Sequence, residues 1–492
     1  MGITQALGNA YSGLTATSRA AEIVARNIAN ASTPGYAART LSVSHHIAGG
    51  DSLGVRVDSV GRAGDAMLTA ERRRLDGDAG RASLAAGAER AVADMLLDPN
   101  GGDSLADRYL AFENALRALA DTPESASVQL SAADAAGALA RKVQTLSTQA
   151  TRMRADLDAD IARQVRQVND ALSRIQRLNT EIATTMALGR DATGLMDERD
   201  RQIEVVNGII PINAKPKENG GVMLTTRAGG GILLDHNAQP LGFETTPDIG
   251  SVHLDANGDT TLKQGAGVAF NMTVVRPPDS PGYLNGGTLE AAFTARDRTL
   301  PDFLGQLDAL AGDLVARFRD LDGREPSTAA TKGLFVDTGA AADEQTPVAT
   351  LGLAARIALN GEVSGNPATL RTGFPSAPAA DPVSTVAFST ALYDAFRARS
   401  EPPEALRLTG ARDPATMVAD FAALWESRAT FSERTAAHLR GAAEAVRDQE
   451  LTASAVDTDA ELRNLLNVER AYAANAKVLQ AIDAMVRRLL EI

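Results

Sequence analysis

The sequence predicts a mainly α-helical protein with a β-rich insert: paired N- and C-terminal coiled-coil helices, a bundle domain of long helices, and a small β domain set between those helices. Three observations carry this. Apolar residues near both chain ends recur at alternating three- and four-residue spacing. An apolar stripe at helical spacing continues for some sixty residues in the first half. A stretch of short alternating runs broken by Gly and Pro follows it. At about 150 residues per domain, 492 residues make roughly three domains. The expected division is a terminal helical domain at 1–60 and 455–492, a rod-like helical domain at 61–208 and 286–454 with an irregular part at 322–381, and a β-rich outer insert at 209–285.

Composition narrows the function classes. Hydrophobic residues are 44% of the chain, ample for buried cores, while aromatics are only 4%, which favours long helices over a thick aromatic core. The net charge of −13 argues against nucleic acid, whose phosphates need concentrated Lys and Arg. The absence of cysteine excludes disulfides, thiolate metal sites and cysteine catalysis. No basic segment precedes an apolar core at the N-terminus, so no cleavable secretory signal is expected. No run of 18 apolar residues suggests a membrane-spanning helix.

The first helix carries the seam Ile3, Leu7, Ala10, Leu14, Thr17, Ala21, Val24, Ile28, which calls for a partner helix. Pro34 and Gly35 end it in a turn, and Asn27 and Asn30, near its end, can cap or bridge backbone groups. A short strand is expected at 54–60, where Val55 and Val57 alternate, and a helix at 62–75 with Met67, Leu68 and Leu75 inward. Leu105, Tyr109, Phe112, Leu116 and Leu119 mark the next helix, which Thr122-Pro123 ends.

A much longer helix follows at about 125–188, roughly 90 Å at ~1.5 Å per residue. Between Met153 and Val165 its stripe changes to a 4-4-4 spacing, a stutter that relaxes left-handed supercoiling. Short strands are expected at Val222–Thr226, 231–234 and 268–275. Helix returns at Leu300 and again from Ala415, so the returning helices are expected to pack on the outgoing one. The last helix repeats the first one's spacing, with Leu465, Val468, Tyr472, Asn475, Leu479, Ile482, Val486 and Leu489.

Catalytic and metal signals are weak. His45 and His46 are adjacent, so they would face opposite ways on a strand, and no carboxylate stands at ligand spacing; they read as a loop pair. Gly229-Gly230-Gly231 lacks the Lys-Ser/Thr of a phosphate loop. Asp197-Glu198-Arg199-Asp200 reads as a helix start with surface ion pairs, or as a grip on a neighbouring subunit. No catalytic residue, metal ligand or cofactor is assigned.

The terminal seams are the candidate site. Thr17 and Asn475 are polar residues in apolar seams, a device that specifies partner and register. Each helix also has a second apolar edge, Tyr11 and Ile23 in the first and Leu462, Leu466 and Met485 in the last. A two-helix pair covers one edge of each helix, so the remainder marks an interaction surface.

Gly13-Leu14 followed by Asn27-Ile28-Ala29-Asn30-Ala31-Ser32-Thr33-Pro34-Gly35-Tyr36 resembles the N-terminal signature of bacterial flagellar rod, hook and hook-associated axial proteins. The strand at 54–60 with Arg62, Asp65 and Leu68 resembles the segment that follows it, and 469–480, from Glu469 through Tyr472 and Asn475 to Gln480, resembles the family's C-terminal signature. The helices from Leu105, the Gly194-Leu195-Met196-Asp197-Glu198-Arg199-Asp200 stretch and 287–301 resemble the hook-associated branch.

The resemblance implies a structural adaptor ring between hook and filament that polymerises through its terminal helices, without enzyme activity or cofactor. It implies as partners other copies of the chain, the hook protein, hook-associated protein 3, a flagellar export chaperone and the type III export apparatus. The expected place is extracellular, reached without signal cleavage. The alternatives are a hook or distal rod axial protein, or an axial protein carrying a hydrolase insert, for which the insert offers only His236 and His253 among scattered carboxylates.

Overall fold

The computed structural model describes all residues except 1, 34–35, 49–50, 100, 251, 255–259, 272, 278–282, 320, 322–332, 340–350, 374–381 and 491–492. The chain opens with α1 (Ile3–Asn30), the hairpin strands β1 (Arg39–Ala48) and β2 (Asp51–Arg62), and α2 (Ala66–Leu97). Then come α3 (Leu105–Asp121), α4 (Ala126–Ala187) and α5 (Thr193–Ile209). Short strands follow: β3 (Ile212–Pro216), β4 (Val222–Thr226), β5 (Ile232–Leu234), β6 (Val252–Leu254), β7 (Thr260–Leu262), β8 (Val268–Phe270) and β9 (Thr273–Val275). Helix returns as α6 (Gly287–Thr294), a π-helical turn (Ala295–Thr299) and α7 (Leu300–Arg319). Smaller pieces are β10 (Phe335–Asp337), α8 (Leu353–Arg356), β11 (Ile357–Leu359), α9 (Gly361–Gly365) and α10 (Thr369–Thr372). The chain closes with α11 (Pro382–Arg397), α12 (Pro414–Ser454) and α13 (Thr458–Leu490). It is therefore mainly helical, with small antiparallel sheets in its middle.

The residues divide into two compact units, one of Met1–Asp78, Gln167–Pro240 and Leu439–Ile492, the other of Ala79–Arg166 and Leu241–His438. The β-rich stretch is shared between them: β3–β5 belong to the first unit, β6–β9 to the second.

In the first unit, β3, β4 and β5 form an antiparallel sheet whose core-facing residues include Val222, Leu224, Leu233 and Leu234. The Asn179 side chain clamps its central strand, donating to the Val222 carbonyl at 2.9 Å and accepting the Val222 N–H at 3.1 Å. Arg72 is the charged hub. It bonds both Glu204 oxygens at 2.8 Å, Asp76 at 2.9 Å, and Glu450. Four carboxylate contacts on one guanidinium tie α2 to α5 and α12 by charge-assisted bonds.

The second unit holds a continuous apolar core from α2, α3, α4, α7, α11 and α12. Ser104 caps α3 reciprocally: its Oγ accepts the Asp107 N–H at 3.0 Å, and the Asp107 carboxylate accepts the Ser104 N–H at 3.0 Å. The few aromatics are concentrated here. Phe112 lies 5.0–5.9 Å from Phe396, Phe335 and Phe318, and Trp425 stacks edge-on to Phe303 at 5.6 Å. The buried Trp425 ring N–H donates to Gln306 at 2.9 Å. Composition argued against an aromatic core. Pooling the aromatics in one place builds one all the same.

Several local readings change. His45 lies in β1, opposite Val55, and not in a loop. The expected strand at 268–275 is a hairpin, turned at Asn271, whose φ of +48° breaks the run. The helix expected at 62–75 starts later, because β2 runs through Arg62, and extends to Leu97. Much of the irregular part at 322–381 lies outside the described residues. The described remainder forms β10, β11 and three short helices, where buried Asp308 of α7 accepts the Gly352 and Ala354 N–H groups at 2.7 and 2.8 Å.

Candidate subunit-packing site

The two chain ends meet in the first unit, where α1 packs against α13. Gly13 lies tight against α13: a Cβ there would stand 2.9 Å from the Asn475 amide nitrogen. Thr17, the polar residue in the α1 seam, turns inward on its own helix, its hydroxyl donating to the Gly13 and Leu14 carbonyls at 3.0 Å. The hairpin docks on α1 at the same level. Ser12 Oγ accepts the Val55 N–H at 3.2 Å, and Gly54, at φ +99°, leaves no room for a side chain beside it.

Asn27 is the residue around which both ends close. It is fully buried. Its amide nitrogen donates to the Arg39 carbonyl at 2.9 Å and to Glu461 of α13 at 2.7 Å. Its oxygen accepts the Tyr36 hydroxyl at 2.9 Å and the Arg39 N–H at 2.8 Å. All four capacities of the amide are thus used. Arg39 is buried, stacks over the Tyr36 ring at 4.8 Å and pairs with Asp197. Arg62 bonds Asp197 at 3.0 Å and Asp200 at 2.7 Å, and Arg26 reaches Asp191 at 2.7 Å.

The acidic block on α5 is therefore a clasp within the chain. It holds the hairpin, while Asp191 just before α5 holds the end of α1, and Arg199 turns inward to the Gly220 carbonyl at 2.7 Å. Sequence reasoning found Asn27 but missed Arg39 and Glu461. Glu461 stands 434 positions away and carries no local signal.

The seam residues are unequally covered. In α1, Val24 and Asn27 are buried, Leu14, Thr17, Ile28 and Asn30 are half-buried, and Leu7 is exposed. Tyr36 is half-buried and Thr33 exposed, whereas Pro34 and Gly35 lie outside the described residues. In α13, Leu465, Val468, Asn475 and Leu479 are half-buried, Ile482 is buried, and Tyr472 and Val486 are exposed; the Leu489 side chain is outside the described residues. Of the second edges, Ile23 is buried, a departure from its expected place on a free edge, while Tyr11, Leu462, Leu466 and Met485 are exposed.

Among the described residues of α13, Ile482 is the only apolar side chain that is buried. Val478 is 46% exposed and Met485 48%. With Ala471, Ala474 and Ala481 they form an open stripe at three- and four-residue spacing. Complete burial of a large apolar side chain stabilises by roughly 1.5–3 kcal/mol, so each half-exposed one leaves about 1 kcal/mol unrealised. Such a helix is amphipathic toward something besides its partner in the chain.

Among the described residues no group of three His, Asp or Glu could hold a metal ion. His236 is exposed beside Asp235, and no described helix is long and apolar enough to cross a membrane.

Comparison with known proteins fits this geometry. A family described as flagella basal body rod protein matches residues 7–36, and one described as flagellar basal body rod FlgEFG protein C-terminal matches 447–492. These two stretches contain the helices that meet at Gly13, so both ends of the chain are similar to flagellar rod proteins. Between them, the family described as flagellar hook-associated protein FlgK helical domain matches residues 91–324.

Flagellar hook-associated protein 1 of Bacillus subtilis (strain 168) is 26% identical over 338 residues, 64% of this chain and 66% of that one. Its counterparts in Salmonella typhimurium and Escherichia coli K12 are each 23% identical over 312 and 313 residues, 62% of this chain and 54% of theirs. Over these stretches the chain is similar to flagellar hook-associated protein 1. The matched part spans between about half and two thirds of these relatives' own lengths. The flagellar hook junction protein FlgK from Burkholderia pseudomallei superposes with a TM-score of 0.40 at 19% identity, covering 56% of this chain and 47% of that one, too loosely to bear on the fold.

Proposed function

We propose that the chain is a structural subunit of the flagellum that forms an adaptor ring between hook and filament and polymerises through the exposed edges of α1 and α13. The observation that carries this is the uncovered apolar face of α13, a 33-residue helix with one buried apolar side chain among its described residues. Isolated helices draw their stability from packing, so this face calls for sister copies.

Copies would continue the hook's lattice, with the hook protein on one side and hook-associated protein 3 on the other. Before assembly, a cytoplasmic chaperone would cover α13. Export would run through the type III apparatus without signal cleavage, to an extracellular site at the junction. A strain lacking the chain tests the reading. The expected result is complete hooks that shed flagellin as monomer. Loss of the hooks themselves would instead make the chain a hook or distal rod subunit.

A further inference from the structure

Along α4 the buried stripe of the second unit runs Leu139, Val143, Leu146, Ala150, then Arg154 and Asp158, then Ile161 and Val165. Along the returning helices it runs Phe293, Arg296, Leu300, Phe303. Two arginines and an aspartate, each at most 2% exposed, thus interrupt an apolar seam. The main core ends on one side of them, at Ala150 and Leu300; Ile161, Val165, Leu289 and Phe293 are buried outside it.

The layer falls where the α4 spacing stutters and where the facing chain makes its π-turn. In that turn the Leu300 N–H reaches back five residues to the Ala295 carbonyl. Pro301 has no N–H, so the next carbonyl, that of Arg296, lacks its helical donor. Arg154 Nε fills the gap at 3.0 Å.

Arg296 pairs with Asp158, bonds Asp297 at 2.7 and 2.8 Å, and donates to the Ala266 carbonyl at 2.9 Å. Asp158 also accepts the Thr246 N–H at 2.6 Å, and Arg154 donates to the Lys263 carbonyl at 3.3 Å. Gly265 lies against the Arg296 guanidinium, where a Cβ would stand 2.2 Å from Cζ. Thr246, Lys263 and Ala266 are therefore fastened to the helices at this level by polar bonds to their backbone.

One nitrogen is left over: Arg154 Nη1 is buried with no hydrogen-bond partner. Burial holds the Arg154 guanidinium below its usual pKa, with Arg296 adding to the effect against Asp297 and Asp158. A buried cation with an unmet donor weakens its layer relative to the dry apolar layers beside it.

We propose that the Arg154–Asp158–Arg296 layer is a joint in the helical unit, the first level of its seam to open, with water entering to Arg154 Nη1 and the apolar segments on either side then able to shift separately. The joint is a property of this unit and holds whether or not the chain sits at the hook.

Native-state hydrogen exchange on the full chain tests it. Amides at 155–161 and 297–300 are expected to exchange at least tenfold faster than those at 139–150 and 303–311. Equal or greater protection at the layer overturns the proposal. Arg154→Met, checked for unchanged helix content by circular dichroism, is expected to close most of that gap. A folded Arg154→Met protein with the gap intact removes Arg154 as its cause, and with it the joint as described.

Discussion

Asn27 shows how much can rest on one amide. Its four hydrogen bonds bring together α1, the Tyr36–Arg39 segment and α13. Asn27→Ala leaves the buried Arg39 N–H and carbonyl without that partner, and the expected cost is about 2–4 kcal/mol in urea unfolding of the first unit. Asn27→Asp keeps the acceptor but sets a second carboxylate beside Glu461. Adding Glu461→Gln is therefore expected to recover part of the loss, and strict additivity of the two changes would deny their coupling.

Glu204 gives a pH dependence. Burial pushes its carboxyl up most strongly, but bonds and charge from Arg72 and Arg73 outweigh this and hold it below its ordinary 4.5. A depressed folded-state value means the carboxylate stabilises the fold above about pH 4.5, and that the stabilisation is lost as pH falls through the folded value. Glu204→Gln is expected to lower stability at neutral pH and to flatten its fall in acid, followed by thermal melts between pH 3 and 7. At this scale the sequence was only partly legible. The motif pointed to Asn27, but Arg39, Glu461 and the inward Arg199 are defined by partners far along the chain.

At the scale of elements, the long helices were legible because their apolar stripes persist over many turns, as in α3, α4 and α13. β1 was not, although Leu41, Val43 and Ile47 alternate, because His45 interrupts the apolar period between Val43 and Ile47. The length of α2 was hidden by its Ala and Gly content, which carries little periodic contrast. The β-rich stretch reads as one block, yet its strands pair in separate small sheets that fall in two units.

The pairing of α1 with α13 yields its own prediction. Gly13→Val places two methyl groups where Asn475 now lies, so the pair should part: α13 amides lose at least tenfold protection, and Asn475→Ala restores part of it. Unchanged protection in Gly13→Val would mean that the helices do not touch there.

At the scale of the molecule, the same few physical facts recur. Buried charged side chains set the inside of each unit, Arg72 as a tie in one and the Arg154–Asp158–Arg296 layer as the proposed joint in the other. Apolar side chains at the chain ends stay uncovered. A chain that leaves Tyr11, Leu462, Leu466, Val478 and Met485 exposed carries surface that association would bury. Similarity to flagellar rod and hook-associated proteins gives the proposed association a setting, and the open stripe of α13 gives it a direction.

The most direct test is a photo-crosslinking amino acid placed at Val478 in flagella assembled by the living cell. The account predicts a covalent adduct of two copies of this chain, at high yield in assembled flagella and absent from the purified monomer. Crosslinks confined within one chain in assembled flagella would contradict it.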